Sequence, residues 1–328
     1  MNEPISPRLQ KRVWRLVSWF PLPSLWSLDG VSVWTAVKHV WFGLFEDNIA
    51  SRAAELGFYF IFALFPALFA ATSLLGMIAG SSSHLYDSLI AYLSLALPPA
   101  AMGTVLNTFR QITSSANGGK LTFGLAVSLW SASVGFAAIQ DGLNIIYQVK
   151  ETRSYLTARL SAIGVTILLS ILITLMLGSL LGADYIGKWA EAYVHPHLIA
   201  VVLIFLAKAI GWALVLALLL LVFAVIYYFA PNVQRSRWHW ITPGATVGIL
   251  GWVLACILFR IYVHQFNTYT VTYGSLGAVI ILLTWFYLTG FMLLLGAEIN
   301  SQIEAVITSK RVLERDEAKR DGQASEEA

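Results

Sequence analysis

Charged and amide side chains stand at the ends of several long apolar segments of this chain, where they could bind or gate an ionic group. The stretch from residue 56 to residue 79 carries no charge. Arg52 and Glu55 lie just before it, one helical turn apart, so they can form an ion pair. Comparable groups end three other apolar segments. The full set of this cytoplasmic polar network is Arg52, Glu55, Asp141, Asn144, Pro231, Asn232, Glu298 and Asn300.

Two interpretations of the cytoplasmic polar network remain open from the sequence. In the first, the network gates a pathway, because ionisable residues at membrane level are costly and commonly functional. In the second, it only ties helix ends together, and Arg52 is neutralised by Asp141 or Glu298. The sequence alone does not choose between them.

Two further cations, Lys208 and Arg260, lie inside apolar segments and not at their ends. The predicted topology places both in the outer half of the bundle, without an acid at the same depth. The simpler hypothesis is that their side chains snorkel to the outer headgroups. The sharper hypothesis is an outward cavity that binds an anionic group, such as a lipid phosphate or a carboxylate. There arginine would bind in bidentate fashion and lysine as a point charge.

Catalytic and metal-binding patterns are not found in the sequence. The chain has no glycine-rich phosphate loop with lysine, no GxSxG and no HExxH. Its six histidines are scattered, and the close pair His195 and His197 is predicted to lie outside, away from cytoplasmic RNA. Metal-dependent nucleases need clustered His, Asp or Glu ligands. The sequence therefore predicts no catalytic residue, no metal, no cofactor and no nucleic-acid partner.

Composition indicates the elements that hold these residues. Of the 328 residues, 58% are hydrophobic and only 12% are charged, whereas a soluble domain carries about 25% charged residues. Cys256 is the single cysteine, so no disulfide forms within one chain. The sequence predicts an all-α polytopic membrane protein with six transmembrane helices, at about residues 56–79, 121–147, 160–183, 200–229, 243–264 and 275–300.

Three segments flank or interrupt the predicted transmembrane domain, which covers residues 47–305. Residues 1–46 form a cytoplasmic, Trp-rich segment that ends in an interfacial helix at about residues 31–45. Residues 81–120 are too polar to cross, and we expect two amphipathic helices that form an external cap. Residues 306–328 mix both charges and are expected to be a solvated cytoplasmic tail. No cleavable signal peptide is recognised at the N-terminus.

Basic residues set the expected orientation. The segments on the side of the termini hold 16 Lys or Arg, and the opposite loops hold 3. Because cytoplasmic loops are enriched in Lys and Arg, both termini are predicted to be cytoplasmic.

Four passages follow one another in a recognisable order. They are Arg52-Ala53-Ala54 with Tyr59 and Leu64-Phe65-Pro66; Trp130-Ser131-Ala132-Ser133 with Leu143-Asn144 and Tyr147; Tyr227-Tyr228 with Ala230-Pro231-Asn232, Trp240 and Pro243-Gly244-Ala245; and Tyr273-Gly274-Ser275-Leu276 with Trp285, Tyr287 and Gly296-Ala297-Glu298-Ile299-Asn300. Together, over roughly residues 35–305, the chain resembles the YihY/BrkB family of bacterial inner-membrane proteins. The resemblance implies six transmembrane helices in the cytoplasmic membrane and no settled activity. Some members carry a ribonuclease BN label and others a serum-resistance or virulence label. Glu55 departs from the family pattern, which has a small residue there more often.

The expected function is that of a non-enzymatic inner-membrane protein that transports or handles a lipid or another anionic amphiphile, with membrane lipids as partners. The alternative is a structural or envelope-assembly protein without transport activity. Ribonuclease activity is rejected because the ligands that it needs are missing from the sequence.

Overall fold

A computed structural model describes residues 32–78, 118–195, 197–233, 241–265 and 275–326. Seven helices, and no strand, form within these ranges. They are α1 (Val33–Glu46), α2 (Ile49–Ile78), α3 (Gly118–Ile146), α4 (Tyr155–Tyr193), α5 (His197–Phe229), α6 (Pro243–Gln265) and α7 (Ser275–Glu326). The all-α prediction is therefore confirmed for the described part of the chain. Residues 1–31 and residues 79–117, which include most of the predicted cap at 81–120, lie outside it.

The helices differ in their ability to cross a bilayer. Among the described residues, four segments are long and apolar enough by length and composition, namely Tyr155–Tyr193, Leu198–Phe229, Pro243–Gln265 and Gly277–Ser309. They correspond to the third to sixth predicted spans. The first two predicted spans coincide with α2 and α3, which are not among the four. The number of six transmembrane helices thus stays a prediction.

The last helix is longer than its predicted span. α7 continues without interruption to Glu326, and its side chains are buried from Ser301 to Thr308. The segment 306–328, expected to be a tail without a fold of its own, is therefore helical as far as Glu326. Its first residues are held by packing because apolar residues such as Ile307 continue the buried surface of the helix.

The helices contact one another in a closed order around the bundle. α2 packs on α3 and on α7, α7 packs on α6, and α4 packs along α5. The contacts between α3 and α4 are less extensive, and those between α5 and α6 are smaller still. The described helices therefore divide into a body of α2, α3, α6 and α7 and a hairpin of α4 and α5 that is attached less tightly.

Glycines bring α6 and α7 into close contact. A Cβ at Gly244 would overlap the carbonyl oxygen of Gly296, and a Cβ at Gly296 would overlap the carbonyl oxygen of Gly244. The spacing of Gly244 and Gly248 thus serves helix packing, as small residues at this spacing often do. By contrast, a Cβ at Gly178 or Gly182 of α4 would meet no atom within 4 Å, so the same spacing there lies outside the helix contacts of the described residues.

The N-terminal helix α1 is amphipathic. Trp34, Trp41 and Phe45 are exposed on one side, whereas Ala36 and Gly43 are buried on the other, where α1 packs on α7. An exposed aromatic face is typical of a helix that lies in a membrane interface. The turn to α2 is tight, because Asn48 adopts a left-handed conformation with φ of 51° and Ile49 already begins the next helix.

Candidate functional site

The polar residues predicted to form one network lie at one end of the described bundle, which we call the polar end. It contains the C-terminal ends of α3 and α5, the N-terminal ends of α2 and α6, and the stretch 298–302 of α7. Hydrogen bonds join these elements directly. Ser301 Oγ donates to the carbonyl oxygen of Ile146 at 2.9 Å, which fixes α7 against the end of α3. The hydrogen bonds at this end of the bundle divide the polar residues into separate groups.

The first group is centred on Asn144, a buried amide in the last turn of α3. Its Oδ1 accepts a hydrogen bond from the backbone N–H of Asn232 at 2.7 Å, and its Nδ2 donates to Glu151 Oε2 at 3.0 Å. Asn232 Nδ2 donates in turn to the carbonyl oxygen of Lys150 and to Thr152 Oγ1, at 3.0 and 2.8 Å. The side chains of Asn144 and Asn232 thus hold the α3–α4 loop against the end of α5.

An ion pair that was not predicted completes this group. Arg153 Nη2 lies 2.6 Å from Glu151 Oε2 and also donates to the carbonyl oxygen of Ala230 at 3.3 Å, next to the buried Pro231. Hydrogen bonds from Arg153 lower the pKa of Glu151 to about 2, more than burial raises it. In the sequence, these two residues look like part of an ordinary basic loop, and no local pattern separates them from it.

The second group joins α7 to the start of α6 through Asn300. The backbone N–H of Gly244 donates to Asn300 Oδ1, and Asn300 Nδ2 donates to Thr242 Oγ1, both at 2.9 Å. Thr242 Oγ1 also accepts from the backbone N–H of Ala245 at 3.1 Å, as expected for a residue that caps a helix N-terminus. A threonine directly before Pro243 is a recognisable helix-start signal, so Thr242 could have been found from the sequence.

The third group contains the most deeply buried acid of the polar end. Glu298 has no exposed surface, and its Oε1 accepts a hydrogen bond from Gln302 Nε2 at 2.7 Å. The neighbouring ionisable group is Asp47 in the α1–α2 turn, one helical turn after Gly43, where α1 meets the Glu298 carboxyl. Burial raises the pKa of Asp47 to about 6.

Arg52 pairs with Glu55, one helical turn away as the sequence indicates, and not with Asp141 or Glu298. Its Nη1 lies 2.9 Å from Glu55 Oε2 on the same helix, and the two side chains are 40% and 46% exposed. Among the described residues, neither Asp141 nor Glu298 forms an ion pair with Arg52. Glu55 is the easier partner, because two residues three positions apart on one helix meet without any fit between helices. Asp141 is exposed, and the charges of both ion pairs, Glu151 with Arg153 and Glu55 with Arg52, act on it across the surface of the polar end.

Lys208 and Arg260 lie far from the polar end. Counted along the helix axes, Lys208 is about 32 Å from the end of α5, and Arg260 is about 26 Å from the start of α6. Both are exposed, and no ion-pair partner reaches either of them within the described ranges. Their neighbours on the helix surface are apolar, including Leu206 and Ile210 on α5 and Ile261 on α6. The structure thus places both cations in the same half of the bundle.

The groups required for metal chemistry do not come together in the described part of the chain. No cluster of three or more His, Cys, Asp or Glu residues that could hold a metal ion occurs there. The hydrogen bonds of the polar end fasten helix ends to one another.

The sequence is similar to families of membrane proteins. The family model described as Virulence factor BrkB matches residues 40–321. The ribonuclease-like protein YfkH of Bacillus subtilis is 36% identical over 253 residues, which cover 76% of this chain and 88% of that protein. A UPF0761 membrane protein of Paraburkholderia xenovorans is 28% identical over 267 residues, or 80% of this chain. A UPF0761 membrane protein of Tolumonas auensis is 30% identical over 188 residues. No solved structure matches the chain.

The relatives differ in how much of their length this chain covers. The alignments account for 58% and 59% of the two UPF0761 membrane proteins, which are therefore longer than the matched region. Two of the three relatives are named as membrane proteins and one as ribonuclease-like, and those names describe the relatives themselves.

Proposed function

The chain belongs to the virulence factor BrkB family of membrane proteins, and from this premise we propose that it transports or handles a lipid or another anionic amphiphile. The observation that carries the proposal is the position of Lys208 and Arg260. Each is an exposed cation on a helix surface that is otherwise apolar, within a segment able to cross a bilayer. A ligand with an anionic head and acyl chains matches both parts of that surface.

The loosely attached hairpin supports the same function. Lys208 lies on α5, whose contacts with α6 are few, and Arg260 lies on α6. A headgroup between these two helices would meet both cations at a similar height. Guanidinium binds a phosphate in bidentate fashion, and ammonium adds a second charge. The polar end, with its hydrogen-bonded fastenings, would hold the helices together while their far halves separate.

The membrane and the orientation are part of the proposal. We place the chain in the bacterial cytoplasmic membrane with both termini and the polar end in the cytoplasm, because 16 Lys or Arg stand on that side and 3 on the other. Reporter fusions after Ser115 and Tyr193 should be external, and fusions after Thr152 and Ser236 should be cytoplasmic. A cytoplasmic reporter at Ser115 would contradict the six-span arrangement.

We also propose that the protein is not an enzyme. The ribonuclease-like name of one relative is a weak argument, because the described residues bring no nuclease-type cluster of metal ligands together. Purified protein should leave a labelled RNA intact with added Mn²⁺ or Zn²⁺. Metal-dependent cleavage that remains after contaminating ribonuclease has been excluded would overturn this part of the proposal.

The anion site is tested with Lys208→Gln and Arg260→Gln, made singly and together. Purified protein is reconstituted in vesicles of phosphatidylcholine with phosphatidylglycerol, and both bound phosphatidylglycerol and the movement of a fluorescent analogue between leaflets are measured. A cation near a headgroup contributes about 1 kcal/mol, so each single variant should weaken binding about fivefold and the double variant about 25-fold. Lys188→Gln is the matched control, because this lysine is also exposed and lies on α4.

Two results would overturn the proposal. If the double variant binds and moves phosphatidylglycerol as the wild type does, both cations only snorkel. If wild-type vesicles show no lipid movement and no preference for anionic lipid, the structural or envelope-assembly role takes its place.

A further inference from the structure

The carboxyl group of Glu298 occupies a site that is built around it. The side chain has no exposed surface, and Gln302 Nε2 donates to its Oε1 at 2.7 Å. On the opposite side stands Gly43 of α1, where a Cβ would overlap Oε1. A side chain at this position would displace the carboxyl group, so α1 and α7 fit together around it.

The second oxygen of Glu298 receives no N–H or hydroxyl donor among the described residues. The ionisable group next to this carboxyl is another acid, Asp47, which lies one helical turn after Gly43 and so on the side of α1 that meets Glu298. Two carboxyl groups can form a hydrogen bond only when one of them holds a proton. A fully buried acid whose neighbour is a second acid is therefore a site with a proton as its ligand.

The charges around this pair do not neutralise it. Glu46, the last residue of α1, adds a further negative charge. From α7 the facing group is the uncharged Gln302, and Arg52 of α2 is already paired with Glu55. His39 lies one turn before Gly43 on the same face of α1 and is half-buried. The described ion pairs bring no cation to Glu298.

We propose that Asp47 and Glu298 form a proton-binding latch. It fastens the α1–α2 corner, which is residues 43–49, to α7. With one proton shared, the two carboxyl groups hold the corner closed. When the proton leaves, two like charges remain in a poorly hydrated place and repel each other. The corner then separates from α7, and the aromatic face of α1 changes its position at the membrane surface.

The corner is built to transmit this change. The backbone N–H of Asp47 bonds the carbonyl oxygen of Gly43 at 2.9 Å and ends α1, and Asn48 reverses the chain with a positive φ. Ile49 then begins α2 with no exposed surface. Because only two residues join the helices, a movement at Asp47 moves both of them. The latch is independent of the anionic-amphiphile site, since it involves no residue of that site.

The test compares wild type with Glu298→Gln and Asp47→Asn, which are neutral at every pH and similar in shape to the acids. Thermal unfolding in detergent and hydrogen exchange of residues 43–49 are measured from about pH 5 to about pH 8.5. The folded pair binds a proton that the unfolded chain releases, so wild-type stability should fall as the pH rises. Protection of the corner, corrected for the intrinsic rate, should fall about tenfold over the same range.

Both variants should remove this pH dependence and keep the corner protected at high pH. Glu55→Gln is the matched control, because it removes an exposed acid near the same turn, and it should behave as wild type. If wild type shows no fall, or if both neutral variants retain it, the latch is refuted. Should Glu298→Gln not accumulate, Asp47→Asn decides the question alone, because Asp47 is only half-buried.

Discussion

Removing the amide of Asn300 should destabilise the protein more than removing any single group on the helix surfaces. Asn300 is 1% exposed and makes two hydrogen bonds of 2.9 Å, one from Gly244 N–H and one to Thr242 Oγ1. In Asn300→Ala, the Gly244 N–H loses its acceptor in a place where water does not reach it. Thr242 Oγ1 keeps its bond from Ala245 and loses only its donor.

The magnitude follows from these groups. An orphaned buried N–H costs about 1–3 kcal/mol, and a lost bond between neutral groups costs about 1 kcal/mol. The expected loss is therefore about 2–4 kcal/mol in the free energy of unfolding. Asn300→Asp should lose less, because it keeps the acceptor and places a negative charge at the N-terminus of α6, where the helix dipole favours it.

The assay is unfolding in mixed micelles with increasing denaturing detergent, followed by circular dichroism. Thr284→Ala is the control, because this exposed hydroxyl bonds only the carbonyl oxygen of Ile280 in its own helix, and its loss should stay within about 0.5 kcal/mol. If Asn300→Ala unfolds together with the control, the α6–α7 junction does not depend on Asn300, and the division of the polar end into separate fastenings is wrong.

Four other substitutions give clear contrasts. Gly296→Ala should destabilise by several kcal/mol, because its Cβ overlaps backbone of α6, whereas Gly178→Ala meets open space and should be neutral or stabilise by up to about 1 kcal/mol; both are measured by the same unfolding assay. Arg52→Ala should cost less than about 1 kcal/mol, since its ion pair is half-exposed, and a loss above about 3 kcal/mol would indicate a buried partner instead. The lowered pKa of Glu151 means that its pair with Arg153 stabilises the fold above about pH 4.5 and is lost as the pH falls towards 2. Glu151→Gln should thus flatten the acid side of the pH–stability curve, and an unchanged acid side would refute this.

The meeting of the polar residues at one end could be predicted from the sequence, because the residues that end consecutive antiparallel helices share a level. Their partners could not. Asn144 bonds Glu151 and Asn232 only because the α3–α4 loop folds back over the end of α5, and the loop sequence does not specify that path. The Arg52–Glu55 pair is the exception, because two residues one helical turn apart need no contact between helices to meet.

Glycine spacing shows the same limit. The pairs at 178/182 and 244/248 look alike in the sequence, and only the second lies in a helix contact. Spacing shows that two small residues share a helix face, but it does not show whether another helix covers that face. Gln302 is a different case, because its spacing of four residues from Glu298 on one helix is a local signal that could have identified it.

Because α7 is long and uninterrupted, a small tilt of the helix becomes a larger displacement at its C-terminal end. Its 52 residues extend about 78 Å, of which the 17 residues beyond Ser309 account for about 25 Å. If α7 tilted by about 10° at Ser309, its C-terminal end, about 25 Å further along, would move sideways by about 4 Å. The direction in which the distal surface of α7 faces is fixed as well, because each residue turns the helix by about 100°. One alanine inserted after Ser309 would therefore turn the distal surface away from any partner, whereas an insertion of seven would nearly restore its direction.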